Sequence, residues 1–100
     1  MPATLASDLF TRPYADLDDV QARIGAAVAF ATERTAGKAL PADLADALRY
    51  AEATLADLAA ITRPVARHKA FRAEHGIETM KSLWFAFVDH AALLGLQVAA

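Results

Sequence analysis

Apolar residues recur every three or four positions along most of the chain, and the strict alternation typical of β-strands is missing. Alanine, the residue with the highest intrinsic helix propensity, supplies 26 of the 100 residues, against four glycines and four prolines. Hydrophobic residues make up 56% of the chain and the net charge is only −2, which excludes an intrinsically disordered protein. The pattern therefore predicts an all-α fold, a small antiparallel bundle of three to four helices.

Two long helices are predicted in the first part of the chain. The first should run from about Asp16, a favourable N-cap residue, to Ala36, with Gly37 as a left-handed stop. The second should begin with Pro41 in its first turn. Its apolar residues alternate steps of four and three positions, the spacing of bundle packing, at Leu44, Leu48, Ala51, Leu55 and Leu58.

A leader is predicted before these helices. Within residues 1–15, the stretch from Thr4 to Phe10 suits a short helix, and Pro13 then interrupts the pattern. We therefore expect a single bundle domain over residues 16–100. The leader lacks the basic region and continuous apolar run of a secretory signal, and the chain has no cysteine, so we expect a cytoplasmic protein.

Pro64 should break the middle helix, because it has no N–H to donate and its ring clashes with the carbonyl of Ala60. The helix either kinks there or stops and restarts, and we favour a restart with Thr62 as the cap. The restarted helix should end at Gly76, in the left-handed position that commonly follows a helix. The last helix should then run from about Glu78 to near the C-terminus.

The last helix is apolar over most of its circumference, which is typical of a buried helix, yet a chain of this length cannot surround it. We infer a second contact surface, for another copy of the chain, a larger protein or a lipid-like ligand. Five large side chains are the candidates for this contact: Trp84, Phe85, Phe87, Leu93 and Leu96. A transmembrane helix over Leu83 to Ala100 is not expected, because Asp89 lies near its middle.

Charge is unevenly distributed along the chain. Residues 1–62 carry five basic and nine acidic side chains, whereas residues 63–81 carry five basic and two acidic ones. Guanidinium groups pair with phosphates and carboxylates, so the basic segment 63–75 is a candidate site for an anionic ligand or an acidic surface. The residues that would bind are Arg63, Arg67, Lys69 and Arg72. The same cations could instead face solvent and complement the acidic first half of the molecule.

Arg63 and His68 form an Arg-x4-His motif. It resembles the short motif of HEPN-type helical ribonucleases. The resemblance implies that Arg63 stabilises the phosphate, that His68 assists proton transfer, and that two subunits combine their motifs at a dimer interface. The family usually has a polar residue after the arginine, where this chain has Pro64. Five residues of helix place Arg63 and His68 about 140° apart, so they converge only if Pro64 distorts the turn.

Other polar residues on the helices give weaker signals. His68 and His75 share a helix face and, with Glu78, outline a metal site, but the spacings of di-iron and His-Glu-x-x-His zinc motifs are absent. We therefore expect no metal and no cofactor. Asp89 and His90 point about 100° apart, so they are expected to make a hydrogen bond across an interface or face solvent, not to form a catalytic pair.

Together these features predict a small non-enzymatic interaction module, an accessory or regulatory subunit. It would self-associate or dock on a larger protein through its apolar C-terminal helix. A dimeric ribonuclease using Arg63 and His68 is the first alternative, and a helical protein that binds lipid-like ligands or hydrophobic surfaces is the second. Specific nucleic-acid recognition is not expected, because the aromatic residues are not interleaved with the basic ones.

Overall fold

A computed structural model of the chain describes Phe10, residues 13–72 and residues 75–95, without the side chains of residues 70–72 and 75. This described part contains five helices and no β-strand, which confirms the predicted all-α fold. The helices are α1 (Leu17–Arg34), α2 (Ala42–Ala60), α3 (Pro64–Arg72), α4 (His75–Asp89) and α5 (Ala91–Leu94).

The long helices α2 and α4 run antiparallel. Near the start of α2, Asp43 lies within hydrogen-bond distance of His90, which directly follows α4. Further along α2, the hydroxyl of Thr54 lies 2.9 Å from that of Thr79, near the start of α4. Moving forward along one helix therefore means moving backward along the other.

Helices α1 and α4 run in the same direction. Near the start of both helices Gly76 lies against Val20, and near their ends the rings of Phe30 and Phe87 are 6.2 Å apart. The long helices α1, α2 and α4 therefore alternate up, down and up, with the short α3 between the second and the third. This confirms the predicted antiparallel bundle, in which helices joined by short connections have opposite directions.

The core lies between the three long helices and uses the apolar positions predicted on the first two. Helix α1 buries Leu17, Val20, Ile24, Ala27 and Ala31, and α2 buries Leu44, Leu48, Ala51 and Leu58. Helix α4 contributes Met80, Leu83, Ala86 and Phe87. The buried hydroxyl pair of Thr54 and Thr79 lies within this apolar layer, where its members satisfy each other.

The ends of α1 follow the local sequence signals. The side chain of Asp16 accepts a hydrogen bond from the backbone N–H of Asp19 at 2.8 Å, which confirms it as the N-cap. The helix ends at Arg34, two residues earlier than predicted, and the Thr35 hydroxyl donates to the carbonyl of Ala31 at 2.8 Å. Gly37 then has a φ of 76°, which confirms the predicted left-handed residue.

The predicted break near Pro64 is confirmed, because α2 ends at Ala60 and α3 begins at Pro64. The predicted cap, Thr62, is wrong. The carbonyl of Arg63 accepts the first helical hydrogen bond, from the N–H of Arg67 at 3.0 Å. Pro64 thus occupies the first helical position, where its missing N–H costs nothing. Pro41, by contrast, precedes α2 with a non-helical ψ of 144°, so that helix starts one residue later than predicted.

The predicted end of a helix at Gly76 is wrong. Gly76 lies in the first turn of α4, where it is buried against α1. A Cβ at this position would lie 2.6 Å from Cγ1 of Val20. The missing side chain therefore allows α4 to approach α1 closely, and no left-handed backbone is involved.

The last helix is also shorter than predicted. Helix α4 ends at Asp89, because His90 has φ −120° and ψ 32°, outside the helical range. Gly95, with a φ of 69°, then ends the short α5. No helix in the described part of the chain is long and apolar enough to cross a membrane.

Phe10 falls in the predicted leader, yet it packs on the bundle. Its ring centroid is 5.0 Å from that of Trp84 and 5.3 Å from that of Phe87, the latter in an edge-to-face arrangement. Such aromatic pairs contribute beyond their buried area. The rest of the predicted Thr4 to Phe10 helix lies outside the described residues.

Buried Arg23 attaches the next part of the leader to α1. Its guanidinium donates to the carbonyl of Pro13 and to the carboxylate of Asp19, at 2.7 Å in both cases. It also lies 4.6 Å from the ring centre of Tyr14, a cation–π contact. Burial raises the pKa of the Tyr14 hydroxyl above its ordinary value, against an opposing effect of Arg23. The residues just before α1 are therefore part of the packed structure.

Candidate functional site

One side of α4 faces solvent and carries two large apolar side chains. At 100° per residue the exposed positions of this helix fall within an arc of about 120°. Phe85 lies at the centre of the arc and is 68% exposed, and Val88, one turn later, is 37% exposed. We call this surface the α4 face, and its residues are Glu78, Lys81, Ser82, Phe85, Val88 and Asp89.

The structure places the predicted contact residues in different environments. Phe85 is on the α4 face, whereas Trp84 and Leu93 are half-buried and pack against the core. Phe87 is 1% exposed, so it belongs to the core and is not available to a partner. Leu96 lies outside the described residues.

The predicted contact surface is therefore narrower than the sequence suggests, because core packing takes Phe87 and Phe10 covers part of Trp84. Val88 belongs to the surface although it is not among the predicted contact residues. Its position three residues after Phe85 is the signal that places both side chains on one face of a helix.

A small hollow flanks the α4 face. It has a volume of about 90 Å³ and is lined by Phe10, Tyr14, Met80, Lys81, Trp84 and Phe85. Ordinary ligand pockets measure about 300–1,000 Å³. The hollow is therefore too small to hold a lipid-like ligand, and it offers no support for that predicted alternative.

Arg67, one of the predicted anion-binding residues, makes its contacts inside the molecule. It donates to the carbonyls of Leu58 at 3.3 Å and Ile61 at 3.0 Å, at the end of α2. It also donates to the side chain of Gln21 at 3.2 Å and pairs with Asp18, both on α1. The carbonyl of Leu58 also accepts from the N–H of Ile61, so Arg67 adds to the closure of the end of α2 and ties it to α1. Its guanidinium is engaged by these internal partners, and its role as an anion-binding residue stays a prediction.

Among the described side chains, no second predicted anion-binding residue lines a groove together with Arg67. Arg63 and Lys69 are exposed, and the side chain of Arg72 lies outside the described residues. A groove of about 360 Å³ does lie between α1 and α3, lined by Asp16, Leu17, Asp18, Pro64, Arg67 and His68. Its two carboxylates oppose the binding of an anion.

The two residues of the Arg-x4-His motif are not brought together. His68 lines the groove between α1 and α3, and Arg63 is not among the described residues that line it. Arg63 precedes α3, which begins at Pro64 with its first turn hydrogen-bonded, so the distorted turn that would make Arg63 and His68 converge is absent there.

The adjacent polar residues near the end of α4 have separate surroundings. Asp89 lies on the α4 face, whereas Nε2 of His90 lies 2.8 and 2.9 Å from the two carboxylate oxygens of Asp43 on α2. This hydrogen bond lowers the pKa of Asp43 below its ordinary value. It is the predicted hydrogen bond across an interface, and the interface lies between helices of one chain.

The metal site considered from the sequence has little structural support. Within the described part of the chain, no three histidine, aspartate or glutamate side chains converge in a way that could hold a metal ion. Glu78 lies on the α4 face and His68 on α3, while the side chain of His75 is outside the described residues.

Comparisons of the chain with protein-family models, with curated proteins and with solved structures found no match. The ribonuclease resemblance therefore rests on Arg63 and His68 alone and stays a prediction. The function has to be inferred from the surface chemistry of this chain.

Proposed function

We propose that this protein is a small non-enzymatic interaction module, an accessory or regulatory subunit, that binds another protein through the α4 face. The observation that carries the proposal is the 68% exposure of Phe85 at the centre of a solvent-facing helix side, with Val88 beside it. Aromatic residues are enriched in interface cores, and polar residues form their rims. The proposal includes a cytoplasmic location, which the absence of cysteine fits.

The size of the apolar contribution can be worked from the exposed area of Phe85. A phenylalanine side chain buries about 200 Å² when fully covered, so an exposure of 68% leaves roughly 140 Å² to be covered. At about 25 cal/mol per Å² this area contributes roughly 3 kcal/mol to a contact. That value is in the range of an interface hot spot, provided the partner encloses the ring.

The charges on the α4 face favour a protein over a lipid surface. Glu78 and Asp89 flank the apolar centre, and anionic lipid headgroups would repel both carboxylates. Lys81 supplies the opposite charge on the same face. A partner should therefore offer an apolar surface that covers Phe85, with charges of both signs at its edges.

Photo-crosslinking in living cells tests this proposal. A photoreactive phenylalanine analogue replaces Phe85 in one form of the protein and Val65 in another. Val65 is the matched control, because it is also 68% exposed but lies on α3. We expect crosslinked protein adducts from position 85 and none from position 65. The adducts should disappear when Val88→Asp is added to the same chain.

The proposal is wrong if positions 85 and 65 give equal yields of adducts or if neither gives any. It is also wrong if the only adducts from position 85 are lipids, or if Val88→Asp leaves the yield unchanged. Far-UV circular dichroism of each purified form should show that the helical fold is retained.

A further inference from the structure

We infer that the occupant of the α4 face is a second copy of this chain, packed with its α4 antiparallel about a two-fold axis that passes beside Phe85. The inference rests on the proposed function, because it names the protein partner of the same surface. A two-fold interface uses the same patch on both copies, so the patch must be complementary to itself.

The charges on the α4 face meet this requirement. Lys81 lies four residues before Phe85 and Asp89 four residues after it, so each is about 6 Å along the helix from the ring. In an antiparallel pair centred on Phe85, a residue four positions before the centre faces the residue four positions after it. Lys81 of each copy would then face Asp89 of the other, which gives two ion pairs of opposite charge.

The apolar residues fit the same arrangement. Phe85 of one copy faces Phe85 of the other, a pairing in which two rings can stack with an offset. Val88 lies on the same side of the helix as Lys81, so in this arrangement it meets the aliphatic part of Lys81 of the other copy.

A parallel pair of α4 helices lacks this complementarity. It would place Lys81 against Lys81, Asp89 against Asp89 and Glu78 against Glu78. Juxtaposed like charges oppose association, so the antiparallel arrangement is favoured. The positions of the positive and negative charges on the α4 face therefore favour a second copy of the chain in the antiparallel orientation.

Lys81 can exchange its contact within the chain for the new ion pair at little cost. Its Nζ atom lies 3.7 Å from a carboxylate oxygen of Glu78, and the two side chains are 60% and 61% exposed. An exposed pair of this kind contributes little, because water and salt screen it. Turning Lys81 towards Asp89 of a second copy therefore sacrifices little within the chain.

The contact should be weak. A helix of 15 residues is about 22 Å long and, among its described side chains, presents six exposed residues, far fewer than the roughly 20–30 residues that each partner contributes to a standard interface. We therefore expect monomers and dimers in exchange at micromolar concentrations or above, not a permanent dimer.

Sedimentation velocity over a wide range of protein concentration tests the inference on the full chain. The wild type should approach the mass of two chains as concentration rises. Lys81→Glu or Asp89→Lys alone should raise the dissociation constant by about tenfold or more, because each change opposes like charges twice. The double variant Lys81→Glu, Asp89→Lys reverses both partners and should return the constant to within about threefold of the wild type.

Two further variants separate the apolar contact from general surface effects. Phe85→Asp should abolish dimer formation, and Val65→Asp, a change at an equally exposed apolar position, should leave it unaltered. Unchanged circular dichroism spectra should show that all variants are folded.

A wild type that remains monomeric at every concentration would refute the inference. If the crosslinks from position 85 to a different protein persisted in that case, the proposed function would stand. The antiparallel arrangement would be refuted if neither single charge reversal raised the dissociation constant, or if the double variant failed to restore it. Monomers together with an absence of crosslinks would refute both proposals.

Discussion

Replacing Gly76 with alanine should destabilise the protein, whereas replacing Gly25 with alanine should stabilise it. Both glycines lie in helices, so both changes remove the same backbone freedom from the unfolded chain. Only their surroundings differ. A Cβ at Gly76 would lie 2.6 Å from Cγ1 of Val20, whereas among the described residues no atom beyond its own helix turn lies within 4 Å of a Cβ at Gly25.

The opposing contributions at Gly76 can be compared. Alanine gains at most about 1 kcal/mol over glycine in a helix. Forcing a methyl group into a filled core typically costs about 1–3 kcal/mol. Val20 is 0% exposed and β-branched, so it has neither space nor a ready alternative rotamer to relieve the contact. We expect a net loss of up to about 2 kcal/mol for Gly76→Ala and a gain of about 0.5–1 kcal/mol for Gly25→Ala.

Urea denaturation followed by far-UV circular dichroism measures these changes in the free energy of unfolding. Thermal unfolding gives a second measurement. For a domain of this size, 1 kcal/mol corresponds to a shift in melting temperature of about 4–8 °C, so the melting temperatures of the two variants should differ clearly. Val20→Ala should cost less in the Gly76→Ala background than in the wild type, because it removes the clashing methyl groups. Equal stabilisation by both glycine substitutions, or an additive effect of Val20→Ala, would refute the close contact between α1 and α4.

Three other substitutions test internal contacts by the same unfolding measurement. Arg67→Ala should cost about 1–2 kcal/mol, because it removes the side-chain donor to the carbonyl of Ile61 and the bonds to Asp18 and Gln21, whereas Arg63→Ala at an exposed position should stay within about 0.5 kcal/mol of the wild type. Asp43→Asn should reduce stability at neutral pH. The hydrogen bond from His90 lowers the pKa of Asp43 in the folded state. The ionised carboxylate therefore stabilises the protein at pH values above its ordinary pKa, and this stabilisation is lost as the pH falls through the lowered pKa. Thr54→Val should cost about 1 kcal/mol, because it conserves volume but removes one hydroxyl of a buried pair 2.9 Å apart.

Specific results would contradict each expectation. Equal stability of the Arg67→Ala and Arg63→Ala variants would show that the helix-end contacts contribute nothing. If the difference in free energy of unfolding between wild type and Asp43→Asn stays constant from neutral pH to below about pH 3, the ionised carboxylate does not stabilise the protein. A Thr54→Val variant as stable as the wild type would mean that the hydroxyl contact is replaced without cost.

The fold was predictable wherever a short stretch of sequence determines the structure. Asp16 caps α1 because its side chain bonds an N–H only three residues away, and Gly37 takes the left-handed backbone that few other residues tolerate. Gly76 shows where this reasoning fails. A glycine that ends a helix and a glycine that lets two helices approach look alike in the sequence, and only the position of Val20 across the bundle distinguishes them.

The site was predictable in part for the same reason. A helix with large apolar side chains on nearly all sides does not reveal which of them its neighbours cover, so Phe85 and Phe87 looked equivalent although one is exposed and the other buried. Arg67 looked like its basic neighbours along the chain. Its role depends on the direction in which α3 leaves the break at Pro64, which no local pattern specifies.

The contact of Phe10 with Trp84 and Phe87 determines how this folding unit can be shortened. A chain that begins at Asp16, the domain start expected from the sequence, would lose that ring. Two aromatic side chains would then be uncovered next to the α4 face. The shortened protein would therefore have an additional exposed apolar surface that promotes association. Binding or aggregation measured on such a fragment would reflect where the chain was cut, so tags and fusions should be joined ahead of Phe10.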